Sequence, residues 1–320
     1  SVLPPNVEVR TFGPVDLSGG SGDGSAQWPA LVSGFLGQVS RLRRRDVDFF
    51  FVAQGGPYPA LLLPLKLALR RPLYQWKAQP HVSARMKFYA RRCDDLIFTA
   101  TPGSFPAEVK PGKVLAVGHG IDTDLFRPSA QNGLAPKRDL VAIGRVSPIK
   151  RLDVVIRALA ACRQRVGVAP TLDVIGPSTD LRYDLEQLAH HLALDQSVRF
   201  LGSIDHAHVP PLLNQYRAMV NFSDTAFDKA AGEAMACGLP VVTTNPCTSE
   251  MLPSQLTAEL SAAHDDPADQ ARALTAVLGW SDQTREANGR RLRDTIVANH
   301  GLDSLFDKIL AAIAIDRAGQ

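Results

Sequence analysis

The chain has 320 residues, 45% of them hydrophobic and 21% charged, with a formal net charge of +3. That length exceeds one ordinary core and suits two domains of about 150 residues each, and the composition excludes a disordered chain. The small charge argues against a protein that coats nucleic acid, and four cysteines without a CxxC pair argue against a disulfide framework or zinc site and for a reducing cytoplasm.

In chain order, residues 7–12 (VEVRTF) read as a first strand, and the Gly/Ser-rich stretch 18–25 (SGGSGDGS) as a loop that does not fit G-x-G-x-x-G. A helix is expected over about 28–44, a strand over 48–53, a helix over 59–69, a short strand over 73–76 and a helix over 82–92. Strands at 95–99 and 113–117 close this half. The apolar run 58–69 (YPALLLPLKLAL) is broken by Pro64 and Lys66 and is too short to span a bilayer, and no signal peptide is expected. The polar, turn-rich stretch 120–138 marks a domain boundary, giving domains over 1–130 and 131–320.

A second alternating series then begins. Its strands are expected at 140–144 (LVAIG), 172–175 (LDVI), 198–201 (VRFL), 218–222 (AMVNF) and 240–243 (PVVT), with helices over about 150–163, 180–192 and 209–215. A last helix over 302–315 could pack back on the N-terminal domain. Alternating strands and helices predict an α/β fold with parallel sheets, and two Rossmann-like domains of this kind can face one another across a cleft at their strand ends.

Two segments carry chemistry. In 143–152 (IGRVSPIKRL) an apolar strand ends at Gly144, Arg145 follows in the turn, and Ser147-Pro148 reads as an N-cap with Pro at the first helical position. Lys150 then falls in the first turn of the helix. Cations beside a helix N-terminus suit a phosphate, although surface cations flanking a helix start would read the same way. In 223–242 (SDTAFDKAAGEAMACGLPVV) Asp228 can cap a helix that holds Glu233 among small residues. An ionised Glu there can accept two ribose hydroxyls, or pair with a nearby cation on a partly exposed face.

Taken together, GRVSPIKRLD, LDVIGPS, VRFLGSI and GEAMACGLPVVTTN resemble, in order, the donor domain of the retaining family 4 glycosyltransferases, and VGHGIDTDLFRP resembles the stretch that ends their N-terminal domain. The resemblance implies a GT-B fold, an acceptor-side domain over 1–130 and a nucleotide-sugar donor domain over 131–320. It implies that Arg145 and Lys150, after Gly144, hold the donor diphosphate, that Glu233 binds the ribose, and that the Gly202-Ser203-Ile204 turn lies against the base. The family carries a glutamate eight positions before the second one; here Thr225 stands there, and Asp228 and Lys229 follow. A branch of the family with SDT…DK…EAMA in place of the glutamate pair is the nearer resemblance, and it implies that Thr225, Asp228 and Lys229 face the sugar or phosphate, with Lys229 steadying the departing diphosphate; the alternative is a capping Asp228 and a solvated Lys229. The family's opening strand and glycine loop have no counterpart before VEVRTF, so a shortened N-terminal domain is expected.

Weaker candidates lie in the first half. His81, in LYQWKAQPHVS, follows a strand and opens a helix near the place of a functional family histidine, and His119 follows the strand at 113–117 and could also face the cleft; a structural role is the alternative for each. Arg85, Lys87, Arg91 and Arg92, and Arg41 with Arg43, Arg44 and Arg45, form basic clusters that could meet anionic lipid or a phosphorylated acceptor, or be solvated helix faces. Asp46-Val47-Asp48 and Asp122-Thr123-Asp124 resemble a metal-binding DxD but lie before a strand and in the interdomain turn, so no metal is expected.

The expected activity is metal-independent, retaining transfer of a sugar from a nucleoside diphosphate sugar to an unidentified acceptor. The nucleotide-sugar acts as co-substrate, with no other cofactor and no nucleic-acid partner. The expected place is the cytoplasm, with room for peripheral contact at the inner membrane surface. A nucleotide-sugar epimerase would convert the donor without an acceptor, and an inactive binding protein would hold the donor without transfer.

Overall fold

The computed structural model describes residues 28–39, 42–54, 58–128 and 138–319. The strand expected at 7–12, the loop expected at 18–25, the stretch on which a shortened N-terminal domain was expected, and Arg41 lie outside the described residues. Contacts divide the chain into two compact units: Ser1–Trp76, Ser83–Ile97 and Glu108–Lys113 form one, and Lys77–Val82, Phe98–Ala107 and Val114–Gln320 the other.

The first unit contains α1 (Trp28–Val39), β1 (Phe50–Ala53), α2 (Tyr58–Leu69), β2 (Leu73–Trp76) and α3 (Ala84–Arg92). β1 pairs in parallel with β2, Phe50 opposite Leu73 through Ala53 opposite Trp76. Alternate residues of a strand face opposite sides, so Phe50 and Val52 turn inward and pack with Phe35, Leu62, Leu73 and Cys93. The helix expected over 28–44 is shorter than that. Arg43 is extended, with ψ 158°, and Arg44–Asp46 form a separate 3-10 turn in which the Asp46 carboxylate accepts from the Arg43 N–H at 3.0 Å. The three adjacent arginines Arg43–Arg45 have little to bury against a core, so nothing favours carrying the helix through them.

Strands β3 (Leu96–Thr99) and β4 (Val114–Ala116) complete a four-stranded sheet of order β1-β2-β3-β4.

The second unit is built on a five-stranded sheet of order β7-β6-β5-β8-β9, whose neighbours all pair in parallel. In chain order its elements are β5 (Arg138–Ile143), α4 (Leu152–Val166), β6 (Leu172–Ile175), α5 (Leu181–His191), β7 (Val198–Gly202), α6 (Val209–Leu213) and β8 (Tyr216–Asn221). There follow α7 (Lys229–Ala236), β9 (Val241–Thr243), α8 (Pro246–Ser249), α9 (Ser254–Leu260), α10 (Pro267–Leu278), α11 (Asp282–His300) and α12 (Leu302–Ala318). β6 and β9 are buried along their whole length, as parallel strands covered on both faces must be. A buried Asp173 ties four strands together, taking Arg138, Arg199 and the Tyr216 hydroxyl at 2.7–2.8 Å.

The order of this sheet reverses between β5 and β8: β6 and β7 extend it one way, β8 and β9 the other. Loops leaving the carboxyl ends of two such strands diverge and open a crevice, which is where ligands of open α/β sheets bind. The loop after Ile143 forms one wall of the crevice here, and the loop after Asn221 forms the other. Cys93, Cys162, Cys237 and Cys247 are buried free thiols. Among the described residues no helix is long and apolar enough to cross a membrane.

Candidate active site

β5 ends at Ile143, and Gly144 turns the chain with φ +140° while its N–H donates to the Ile175 carbonyl at 2.8 Å. A Cβ at this position would stand 2.5 Å from the Lys150 Cε, so only glycine lets the lysine lie across the strand end. Arg145 points to solvent and Val146 is buried beneath it.

Lys150 is not in the first turn of α4, as the Ser147-Pro148 pair suggested. Pro148–Lys150 form a 3-10 turn, the Ser147 hydroxyl makes no cap bond, and Arg151 breaks the helix with φ +49° before α4 begins at Leu152. Arg151 is held in that left-handed conformation by its guanidinium, which donates to Asp265 at 2.7 Å and to the His264 carbonyl at 3.2 Å. The consequence is positional. The tight turn folds Lys150 back over Gly144, and its Nζ lies 2.5 Å from the Asp228 Oδ2.

Asp228 comes from the other wall of the crevice, where it caps α7 by accepting from the Ala230 N–H at 3.3 Å. Its Oδ2 also accepts from the Asn221 amide at 2.5 Å and the Ser223 hydroxyl at 3.2 Å. This buried carboxylate is therefore turned inward, spending its acceptor capacity on Lys150 and on the end of β8. Thr225 stands beside Ser223, hydroxyl to hydroxyl at 3.2 Å, and its carbonyl accepts from the Asn245 amide at 2.6 Å. Asn245 also takes the Ser223 carbonyl at 2.7 Å, so one side chain after β9 clamps the loop that follows β8. Asn221, Ser223 and Asn245 were not singled out from the sequence. The Asn245-Pro246 pair is a helix-start signal that could have flagged the last of them, and it caps α8.

Glu233 lies in the second turn of α7 and is 6% exposed. Gly232 before it admits the Ile121 side chain, which a Cβ there would crowd at 3.0 Å. The Glu233 Oε1 is 3.1 Å from the His206 Nε2 and 3.7 Å from the Lys229 Nζ. Burial pushes the Glu233 carboxyl above its ordinary range, against the His206 hydrogen bond and the Lys229 charge, while the Asp228 charge pushes it further up. His206, from the 3-10 turn after β7, was missed by the sequence reading. Gly202, with φ +76°, ends β7, and Ser203 and Ile204 lead from it to that turn, with Ser203 exposed.

His119 stacks on Phe227, the residue before Asp228, with ring centroids 4.1 Å apart, and Phe227 also meets His300 at 5.7 Å. Burial lowers the pKa of His119 to about 4, helped by the Lys229 charge, and that of His300 to about 4 as well. His81 is exposed in the turn between β2 and α3 and makes no contact with Lys150, Asp228 or Glu233 among the described interactions. The acidic triplets have local work: the Asp122 carboxylate accepts from the Asp124 and Leu125 N–H groups at 3.2 and 2.9 Å, and Asp46 serves its own turn.

The arrangement offers a lysine held at a sheet's switch point, an exposed arginine beside it, and a buried carboxylate one helical turn from a second lysine. That pattern suits a ligand carrying phosphate at one place and a pair of hydroxyls at another. The family model of group 1 glycosyl transferases matches residues 137–279. The D-inositol 3-phosphate glycosyltransferase of Geodermatophilus obscurus is 30% identical over 220 residues, covering 63% of this chain and 48% of that protein. The D-inositol 3-phosphate glycosyltransferase 2 of Catenulispora acidiphila is 32% identical over 187 residues, covering 52% of this chain and 43% of that protein. The chain thus spans about half the length, or less, of the relatives it matches.

Among solved structures, Anabaena HepE in complex with UDP and glucose superposes with a TM-score of 0.73 at 19% identity, covering 91% of this chain and 83% of that one. The sucrose-phosphate synthase of Thermosynechococcus elongatus gives a TM-score of 0.74 at 17% identity, covering 94% and 80%. The fold is accordingly the α/β fold of GT-B glycosyltransferases, and residues 137–279 are similar to the group 1 glycosyl transferases.

Proposed function

We propose that the protein transfers a sugar from a nucleoside diphosphate sugar to an acceptor, with retention at the anomeric carbon as in the family 4 enzymes its motifs resemble. The observation that carries the reading is the placement of Lys150, locked to Asp228 over Gly144 at the β5–β8 switch point, with Arg145 exposed beside it. Arg145 and Lys150 hold the diphosphate, Lys229 adds charge against the leaving group, and Glu233 takes the ribose hydroxyls. Thr225 borders the sugar, Asp228 fixes Lys150, and Gly202, Ser203 and Ile204 face the base. These cations neutralise the departing diphosphate, so the reading requires no metal ion. Uracil is the first base to try, since the HepE structure holds UDP and glucose.

Exposed Phe88 among Arg85, Lys87, Arg91 and Arg92 on α3 supports an anionic membrane surface or a phosphorylated acceptor as a second contact. On that reading the protein works in the cytoplasm, at or near the membrane. Several relatives are named for transfer to an inositol phosphate, which makes a phosphorylated polyol the first acceptor class to test.

The test is a thermal-shift screen of UDP-, GDP-, ADP- and dTDP-sugars on the wild type, Arg145→Ala and Glu233→Ala, with and without EDTA. One nucleotide should raise the wild-type melting temperature, both variants should blunt that shift, and EDTA should leave it intact. No shift with any nucleotide, or equal shifts in the variants, refutes the site; loss of the shift in EDTA refutes metal independence.

A further inference from the structure

We propose that His206 is a positioning residue for Glu233, fixing the carboxylate so that it receives two neighbouring hydroxyls, and is thereby a determinant of ribose over deoxyribose. The inference rests on the reading that Glu233 takes the ribose.

The geometry starts with the carboxylate. Oε1 lies 3.1 Å from the His206 Nε2, while Lys229 at 3.7 Å adds attraction without a directed bond. Oε2 has no hydrogen-bond partner among the described residues. An ionised carboxylate oxygen has two acceptor sites, so Oε1 can keep His206 and accept one hydroxyl while Oε2 accepts the other. A glutamate without such an anchor could rotate about its last torsion, which is broad and roughly two-fold, and present one oxygen or the other.

His206 is itself anchored. Its ring meets Phe126 edge-on, with centroids 5.1 Å apart at 63°. Phe126 is buried, and its carbonyl accepts from Arg293 at 2.9 Å. The same guanidinium donates to the Ala236 carbonyl at the end of α7 at 2.6 Å and to the Thr123 carbonyl at 3.0 Å. Arg293 therefore fastens the Phe126 segment to the helix that carries Glu233. The turn holding His206 is capped in its own right, Asp205 accepting from the Ala207 N–H at 3.1 Å. The His206 side chain is 58% exposed and that of Glu233 only 8%, so the imidazole stands on the solvent side of the buried carboxylate. Burial raises the Glu233 carboxyl above its ordinary range, and the His206 hydrogen bond works against that rise.

The experiment uses the full chain and titration calorimetry with UDP, or whichever diphosphate gives the largest thermal shift, beside its 2′-deoxy form. His206→Ala should weaken the ribonucleotide about tenfold, the scale of one hydrogen bond to a charged group, and shrink its advantage over the deoxy form. His206→Gln, which keeps an N–H donor, should restore much of both. In a Glu233→Ala background His206→Ala should change nothing further. If His206→Ala leaves the ribose preference intact, or weakens both nucleotides equally, the positioning role is wrong even where Glu233→Ala abolishes the preference. If the wild type has no ribose preference, or Glu233→Ala retains it, the ribose reading falls and the inference with it.

Discussion

Lys150→Met tests whether the donor site is built on a true buried pair. In the wild type the Lys150 Nζ and Asp228 Oδ2 are 2.5 Å apart, with side-chain exposures of 17% and 6%. The substitution keeps an unbranched apolar stem and removes the ammonium, its charge and its hydrogen-bond donors together. Taking one partner from a buried ion pair costs about 3–5 kcal/mol, because the other charge is stranded away from water. Asp228 would not be wholly stranded, since Asn221, Ser223 and the Ala230 N–H still reach it, so the low end, about 3 kcal/mol, is expected. For a domain of this size that corresponds to a fall in melting temperature of roughly 6–12 °C. Adding Asp228→Asn removes the stranded charge, and the double variant should recover about half of the loss or more. The assay is thermal unfolding followed by circular dichroism for wild type, both single variants and the double variant. A Lys150→Met loss under about 1 kcal/mol would mean the pair is screened like a surface bridge. A double variant no more stable than the sum of the singles predicts would mean that the two residues do not act as a pair. Either result refutes the reasoning.

Two further predictions concern the frame around the site. Gly176 has φ +146°, and a Cβ there would meet the Gly144 carbonyl oxygen at 2.1 Å, so Gly176→Ala should cost at least about 3 kcal/mol and lower the melting temperature accordingly; a change of a degree or so would show that the strand ends can part freely. His119 and His300, both held by burial down to about 4 from 6.5, are neutral in the fold. The unfolded chain therefore binds more protons below pH 6.5, and their contribution is whole above that pH, falls as pH drops towards 4 and changes no further below it. At pH 5 the loss is about 2 kcal/mol per histidine, so His300→Gln should lose less melting temperature than wild type between pH 7.5 and 5. Equal losses would place the acid sensitivity elsewhere.

The parts of the fold legible in the sequence are those where burial writes a simple pattern. β5, β6, β8 and β9 are covered on both faces and show as short apolar runs, LVAI, LDVI, AMVN and VVT, where expected. The region between α7 and α12 was not read as helical. α11 shows why: its buried face is Asn288, Gly289, Leu292, Ile296 and His300, so the period is carried by residues that do not look apolar. Local signals existed, with Ser281 capping α11 and Asp266-Pro267 opening α10. The start of α4 misled in the opposite way. Ser147-Pro148 is a correct start signal for a turn, and only the left-handed Arg151, stabilised by Asp265 from far along the chain, prevents that turn from being the helix. His206 was invisible for a similar reason, since it meets Glu233 across a separation of 27 positions and no spacing rule links a loop after β7 to the middle of α7.

The same long-range logic reinterprets the place where the family resemblance breaks. A carboxylate expected at position 225 is a threonine here, and a carboxylate stands three positions later at Asp228. Moving it to the helix cap turns it inward, where Asn221, Ser223 and Lys150 satisfy it, instead of leaving it toward an incoming diphosphate that it would repel. Lys150 loses little by the arrangement. An ammonium has three donors, and one directed at Asp228 leaves two for phosphate oxygens, now on a stem that no longer samples other rotamers. Arg145 and the half-exposed Lys229 keep their charge on the solvent side. On the proposed reading, then, the loss of the glutamate at 225 and the gain of Asp228 are one change: a carboxylate withdrawn from the ligand and used to hold a cation in place.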